Sequence, residues 1–157
     1  MKSQLLKSQL LKSLSLSLVT LLLVFATSQV SANAQGRQHV YAQIPFSFVV
    51  GDQTLSAGRY SISSEIMDGS ALLIKNVKAK GSAVRLTNPI QSRSSKTDTR
   101  LVFHRYGQAY FLAEVWQGGD STGRVLRASK AERALQRQRE LIGQNSYETL
   151  ELIASVR

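Results

Sequence analysis

Two apolar runs flank Gly107-Gln108: LVFHRY (101–106) and AYFLAEVW (109–116). They restrict the fold more than any other stretch. Runs rich in β-branched and aromatic residues, parted by two residues of which the first is glycine, predict a hairpin with a type II′ turn. That turn sets Arg105 opposite Tyr110, Phe103 opposite Leu112 and Leu101 opposite Glu114 on one face. On the other face His104 lies opposite Phe111 and Val102 opposite Ala113. Both faces are rich in apolar groups, so the hairpin should be central and covered by a second layer.

Shorter alternating runs surround it. QIPFSFVV (43–50) puts Ile44, Phe46, Phe48 and Val50 on one face. Pro45 has no N–H for a ladder and marks an edge or a broken start. Gln53-Thr54-Leu55 allows a brief pairing, and Tyr60 and Ile62 alternate inward after Ser56-Ala57-Gly58. The turn Asp68-Gly69-Ser70 leads into the apolar run Ala71–Ile74. SAVRLT (82–87) alternates again, with Asn88-Pro89 expected to close it. QSRSSKTDT (91–99) has no apolar anchor and is expected to be the longest loop.

Ser129 and Glu132 form an S-x-x-E capping box. The helix behind it carries Ala131, Ala134, Leu135, Leu141 and Ile142 on one arc, which should dock on the hairpin. Lys130, Arg133 and Arg137 occupy a neighbouring polar arc. YETLELIASV (147–156) supplies a last strand. The expected fold is mainly β: an antiparallel sandwich or small barrel of about seven or eight short strands. One amphipathic helix spans about 129–142. Its core should draw on Phe46, Phe48, Tyr60, Ile62, Leu73, Leu86, Phe103, Phe111, Leu112, Val115 and Leu135.

The N-terminus reads as a secretory leader. Lys2, Lys7 and Lys12 precede the apolar run LSLSLVTLLLVFA (14–26), and Ala32-Asn33-Ala34 offers an A-x-A cleavage site. That run falls short of the roughly 20 residues a membrane-crossing helix needs. The expected division is a signal peptide over 1–34 and a single mainly β domain over 35–157, with no transmembrane helix left in the mature chain. The repeated SQLLK (3–7 and 8–12) lies within the leader. The domain would be periplasmic or extracellular, and without cysteine it must be held by packing alone. Removing the three leader lysines takes the formal net charge from +10 to +7, which favours anionic partners.

Candidate chemistry is sparse. Gly119-Asp120-Ser121-Thr122-Gly123 matches G-x-S-x-G, yet a nucleophile elbow joins a strand directly to a helix. Here the helix cap stands six residues beyond Gly123. Both histidines, His39 and His104, precede Ser121, against the chain order of that fold. Neither has an acid within four positions, so no metal-ligand spacing arises. The chain has no G-x-G-x-x-G and no P-loop pattern, so no cofactor is expected. Aromatics are few among the basic clusters, so nucleic acid is not an expected partner. What remains is a set of basic groups able to meet a polyanion: Lys75, Lys78 and Lys80, with Lys130, Arg133 and Arg137 on the helix.

The run IPFSFVVGDQTLSAGRYSI (44–62) combines an I-P-F-x-F strand, a glycine turn and an L-x-A-G-x-Y element. With LLIKN (72–76), LTNP (86–89), LVFHRYGQAYFLAEVW (101–116) and SKAERAL (129–135), it resembles a family of small uncharacterised exported bacterial proteins, mainly acidobacterial. Where the family pattern has proline after Leu55, this chain has Ser56, which loosens the turn. The resemblance implies export and supplies no activity, cofactor or catalytic residue for these positions.

The expected function is therefore non-enzymatic: an exported binding or structural module of the periplasm or cell envelope. Its basic loops and helix face would contact an anionic polysaccharide or envelope surface. One alternative is a small barrel holding an apolar ligand; another is a hydrolase built on Ser121 and His104.

Overall fold

A computed structural model describes residues 39–66, 69–93, 97–143 and 147–156. The leader expected over 1–34 and Asp68 lie outside the described residues. Among the described residues, no helix is long and apolar enough to cross a membrane.

Among the described residues the chain is mainly β with one helix, as its alternating runs require. The strands are β1 (Val40–Ile44), β2 (Phe48–Val50), β3 (Gln53–Leu55), β4 (Gly58–Ser64), β5 (Ala71–Asn76) and β6 (Ser82–Gln91). Then come β7 (Arg100–Tyr106), β8 (Ala109–Trp116), β9 (Thr122–Leu126), helix α1 (Lys130–Leu141), β10 (Glu148–Ile153) and β11 (Ser155–Val156). The hydrogen-bonded path runs β10-β7-β8-β9-β6-β5-β4-β1-β11 and is not closed into a barrel. Its two end strands are instead consecutive in the chain, joined through Ala154, whose N–H donates to Thr99 O at 2.8 Å.

Among the described residues eleven strands stand where seven or eight were expected, because two runs split and Thr122–Leu126, read from sequence as loop, pairs as β9. The QIPFSFVV run breaks at Pro45: Ile44 ends β1, paired with Gly58 of β4, while Phe48 begins β2, paired with Leu55 of β3. Val49 then pairs in parallel with Phe111, beside the half of β8 that β9 does not reach. Proline interrupts the ladder once and thereby moves the chain from one part of the sheet to another. Pro89 behaves differently from expectation, since β6 continues through it to Gln91. The half of β6 beyond Leu86 pairs with β9 along one edge, from Thr87 to Gln91, while β5 pairs only with the half before it. On such an edge the missing N–H disrupts no second ladder.

The central hairpin has the expected turn, with Gly107 at φ +65° and Gln108 at negative φ. Its register holds from Tyr106 to Phe103 opposite Leu112, then shifts. Val102 faces Glu114 and Leu101 faces Val115, leaving Ala113 as an extra residue on β8. Without this bulge Glu114 would share the inner face with Leu112. With it, Leu112 and Val115 both join the core, and the Glu114 carboxylate accepts from Trp116 Nε1 at 2.6 Å.

The core is filled by aromatic contacts. Phe103 meets Phe46 edge-on at 5.4 Å and Phe48 edge-on at 5.6 Å, and Phe48 meets Tyr60 at 5.0 Å. Tyr60 sends its hydroxyl to Ser56 O at 2.7 Å, so its polar tip is satisfied at the margin. Phe46 is half-buried and stacks on Tyr110 at 4.0 Å.

Three expected core residues differ. Leu86 is 74% exposed, and Leu73 and Leu135 are only half-buried. On β6 the inward set is Ala83, Arg85 and Thr87, one residue out of step with expectation. Arg85 donates through Nε and Nη2 to Val50 O at 3.2 and 3.0 Å, satisfying a carbonyl at the β2–β3 turn. Thr87 Oγ1 donates to Gly69 O at 2.7 Å. These contacts hold the polar residues inward and turn Val84 and Leu86 to solvent.

Candidate functional site

The helix lies in the connection from β9 to β10, which flank the hairpin on opposite sides. It meets the hairpin near its turn through Glu132 beside His104 and Tyr106, and does not cover the hairpin as the packed second layer that was expected. The docking surface is not the expected apolar arc. Glu132 is the buried residue of α1, at 5% exposure, with Leu135, Gln136 and Arg139 half-buried on the same side. Ala131, Ala134, Leu141 and Ile142 face solvent.

The capping box forms by half. Glu132 N–H donates to Ser129 Oγ at 3.0 Å, the backbone arm of the motif. The Glu132 side chain does not close the reciprocal arm. Its Oε1 accepts from His104 Nδ1 at 2.8 Å, and its carboxylate also acts electrostatically on the Tyr106 phenol. His104 stacks on Tyr147 at 3.8 Å, and Tyr106 meets Phe111 edge-on at 5.6 Å. Four side chains from β7, α1 and the start of β10 thus form one polar and aromatic cluster on the outer face of the hairpin. His104 was read from sequence as facing Phe111, and it does pair with that residue across the strands. Its carboxylate partner lies 28 positions away and has no sequence signature.

Burial raises the Tyr106 phenol to about 12, assisted by the Glu132 carboxylate and Tyr147 and opposed by Arg139. A folded phenol that holds its proton longer than the unfolded one contributes stability below pH 10 and loses it as pH rises toward 12. The loss should be on the order of 2–3 kcal/mol. Urea unfolding at pH 9 and pH 11.5 checks this: Tyr106→Phe should lose clearly less between the two than the parent protein. Equal losses would mean that Tyr106 titrates as an ordinary phenol.

An imidazole oriented by a carboxylate is half of a nucleophile-activating set. Ser121 does not complete it. His104 lies opposite Phe111, whereas Ser121 lies past the far end of β8, where Gly123 abuts the Trp116 ring. About five residues of strand separate the two levels, roughly 16 Å at about 3.3 Å each. The Ser121 carbonyl accepts from Ser92 N–H at 2.9 Å, closing the loop onto β6. Among the described residues, no group of three or more His, Asp or Glu side chains is placed to hold a metal ion.

The basic residues are where their spacing put them. Lys75 is exposed on β5, and Lys78 and Lys80 are exposed in the β5–β6 turn. Asn76 Oδ1 holds that turn by accepting from the N–H groups of Lys78 and Ala79, both at 2.9 Å. Lys130, Arg133 and Arg137 are exposed on α1, with Arg133 Nη1 also donating to Ala128 O at 2.8 Å. Because β6 and β9 are antiparallel, the start of β6 and the end of β9 point to the same end of the sheet. The turn carrying Lys78 and Lys80 and the connection leading into α1 therefore share that end. A depression of about 290 Å³ lies between them, lined by Gly51, Val84, Arg85, Leu86, Leu126 and Arg127.

No protein-family model, curated protein or solved structure matches the chain.

Proposed function

We propose that the protein is an exported, non-catalytic binding module of the cell envelope that holds anionic polymers on its basic end. The observation carrying this reading is the exposure of Lys75, Lys78, Lys80, Lys130, Arg133 and Arg137 on elements that leave one end of the sheet. A formal net charge of +10, which becomes +7 once the leader lysines are removed, adds a long-range field that draws polyanions to such a surface. The filled aromatic core favours surface binding over enclosure of an apolar ligand, since the rings pack on one another. The separation of Ser121 from His104 weighs against the hydrolase reading.

Heparin serves as the probe polyanion. The protein should be retained at low salt and released as salt rises, because exposed charges are screened beyond about 10 Å at 0.1 M. Replacing Lys75, Lys78 and Lys80 by glutamine should lower the eluting salt, and so should Lys130→Gln, Arg133→Gln and Arg137→Gln together. Retention indifferent to salt, or unchanged in both triple variants, would defeat the proposal.

A further inference from the structure

We infer that the solvent-facing side of α1 docks on an anionic lipid bilayer, lying in the plane of the head groups. This rests on the reading above and names the partner of its helical half. The helix turns Glu132, Gln136 and Arg139 toward the sheet together with Leu135, and the rest of the apolar arc, Ala131, Ala134, Leu141 and Ile142, turns away. Leu141 is 87% exposed and Ile142 63%, at the end of that arc. A chain that spends its polar contacts on holding a helix leaves the apolar side for another surface.

The charges select which surface. At 100° per residue Leu141 lies between Ala134 on one side and Lys130 on the other, with Arg137 and Arg133 next in order. Glu140 stands beyond Arg133, where its Oε1 accepts from Gln136 Nε2 at 3.2 Å. An apolar strip bordered by three cations fits a boundary where phosphates and acyl chains meet. A second copy of this chain fits poorly, because a two-fold contact would bring the same three cations together. The helix need only rest at the interface, since 12 residues are too few to cross it.

The absence of cysteine in the chain makes a local probe available. An environment-sensitive fluorophore is attached to Gln138→Cys, which lies within the outward arc, and to Thr54→Cys on β3 as the control. The protein is mixed with vesicles of phosphatidylcholine alone or with phosphatidylglycerol added. The expected result is a blue shift at position 138 with phosphatidylglycerol, and none at position 54. Because the readout is local, attachment through the apolar leader alone would leave position 138 unshifted and overturn the inference.

Neutralising Lys130, Arg133 and Arg137 should weaken the response about 100-fold, at about 1 kcal/mol per cation near the surface. Leu141→Ser with Ile142→Ser should weaken it at least about 10-fold while leaving heparin retention intact. A serine variant that responds like the parent would also overturn the inference, as would self-association without lipid that this variant abolishes. Heparin retention without a vesicle response sinks the lipid assignment and leaves the polyanion reading standing. Loss of both sinks the two together.

Discussion

Phe103→Ala is expected to cost about 4 kcal/mol of folding stability, whereas Leu86→Ala should change it by less than about 0.5 kcal/mol. Both leucine and phenylalanine stand in alternating runs, and composition alone would rank both as core. Phe103 is fully buried between Phe46 and Phe48, so truncation leaves a hole that the surrounding core can fill only in part. Leu86 projects into solvent from β6 and gives up little on truncation. A domain of this size has about 5–15 kcal/mol in total, so losing Phe103 consumes a large part of it. No disulfide is available to offset the loss, because the chain has no cysteine. Urea unfolding followed by far-ultraviolet dichroism measures both; a Leu86→Ala loss matching that of Phe103→Ala would contradict the β6 register described here.

Glu132→Ala should cost about 2–3 kcal/mol, less than the roughly 3–5 kcal/mol for breaking a fully buried pair, because the His104 side chain is 21% exposed. The variant leaves the His104 Nδ1–H facing the vacated space without its acceptor. It keeps the Ser129 cap, which is made through the Glu132 backbone, so the loss reports the tether and not helix initiation. Replacing both partners, as His104→Phe with Glu132→Leu, should recover most of the loss, since an apolar pair needs no hydrogen bonds. The double-mutant cycle is the decisive measurement. Strictly additive single losses would show that His104 and Glu132 act independently and that α1 is held by something else.

Local signals were readable where one segment suffices to decide. The Gly107 turn and the first pairs of the hairpin follow from two residues and their neighbours. Helix initiation at Ser129 follows from a cap three positions ahead of Glu132. Pro45 announced a break because its ring removes a donor wherever it sits. The Ala113 bulge was not readable, because nothing local says that Glu114 must leave the inner face; the constraint comes from the neighbours that Leu112 and Val115 meet across the core.

The candidate site was legible only as a set of charges. Lys78, Lys80, Lys130, Arg133 and Arg137 are exposed for the reason that exposes most such groups, the cost of removing a charge from water. Their convergence on one end of the sheet depends on strand directions that no single segment states.

Sequence alone determined a mainly β chain with one capped helix and a packed core free of cysteine, since period, turn chemistry and composition are properties of neighbours in the chain. Tertiary structure alone decided which side of β6 and of α1 faces inward. Alternation and helical arcs sort residues into two sides without choosing between them. The choice fell to hydrogen bonds spanning 35 positions from Arg85 to Val50 and 28 from His104 to Glu132, because a buried polar group must find its partner wherever the fold brings one.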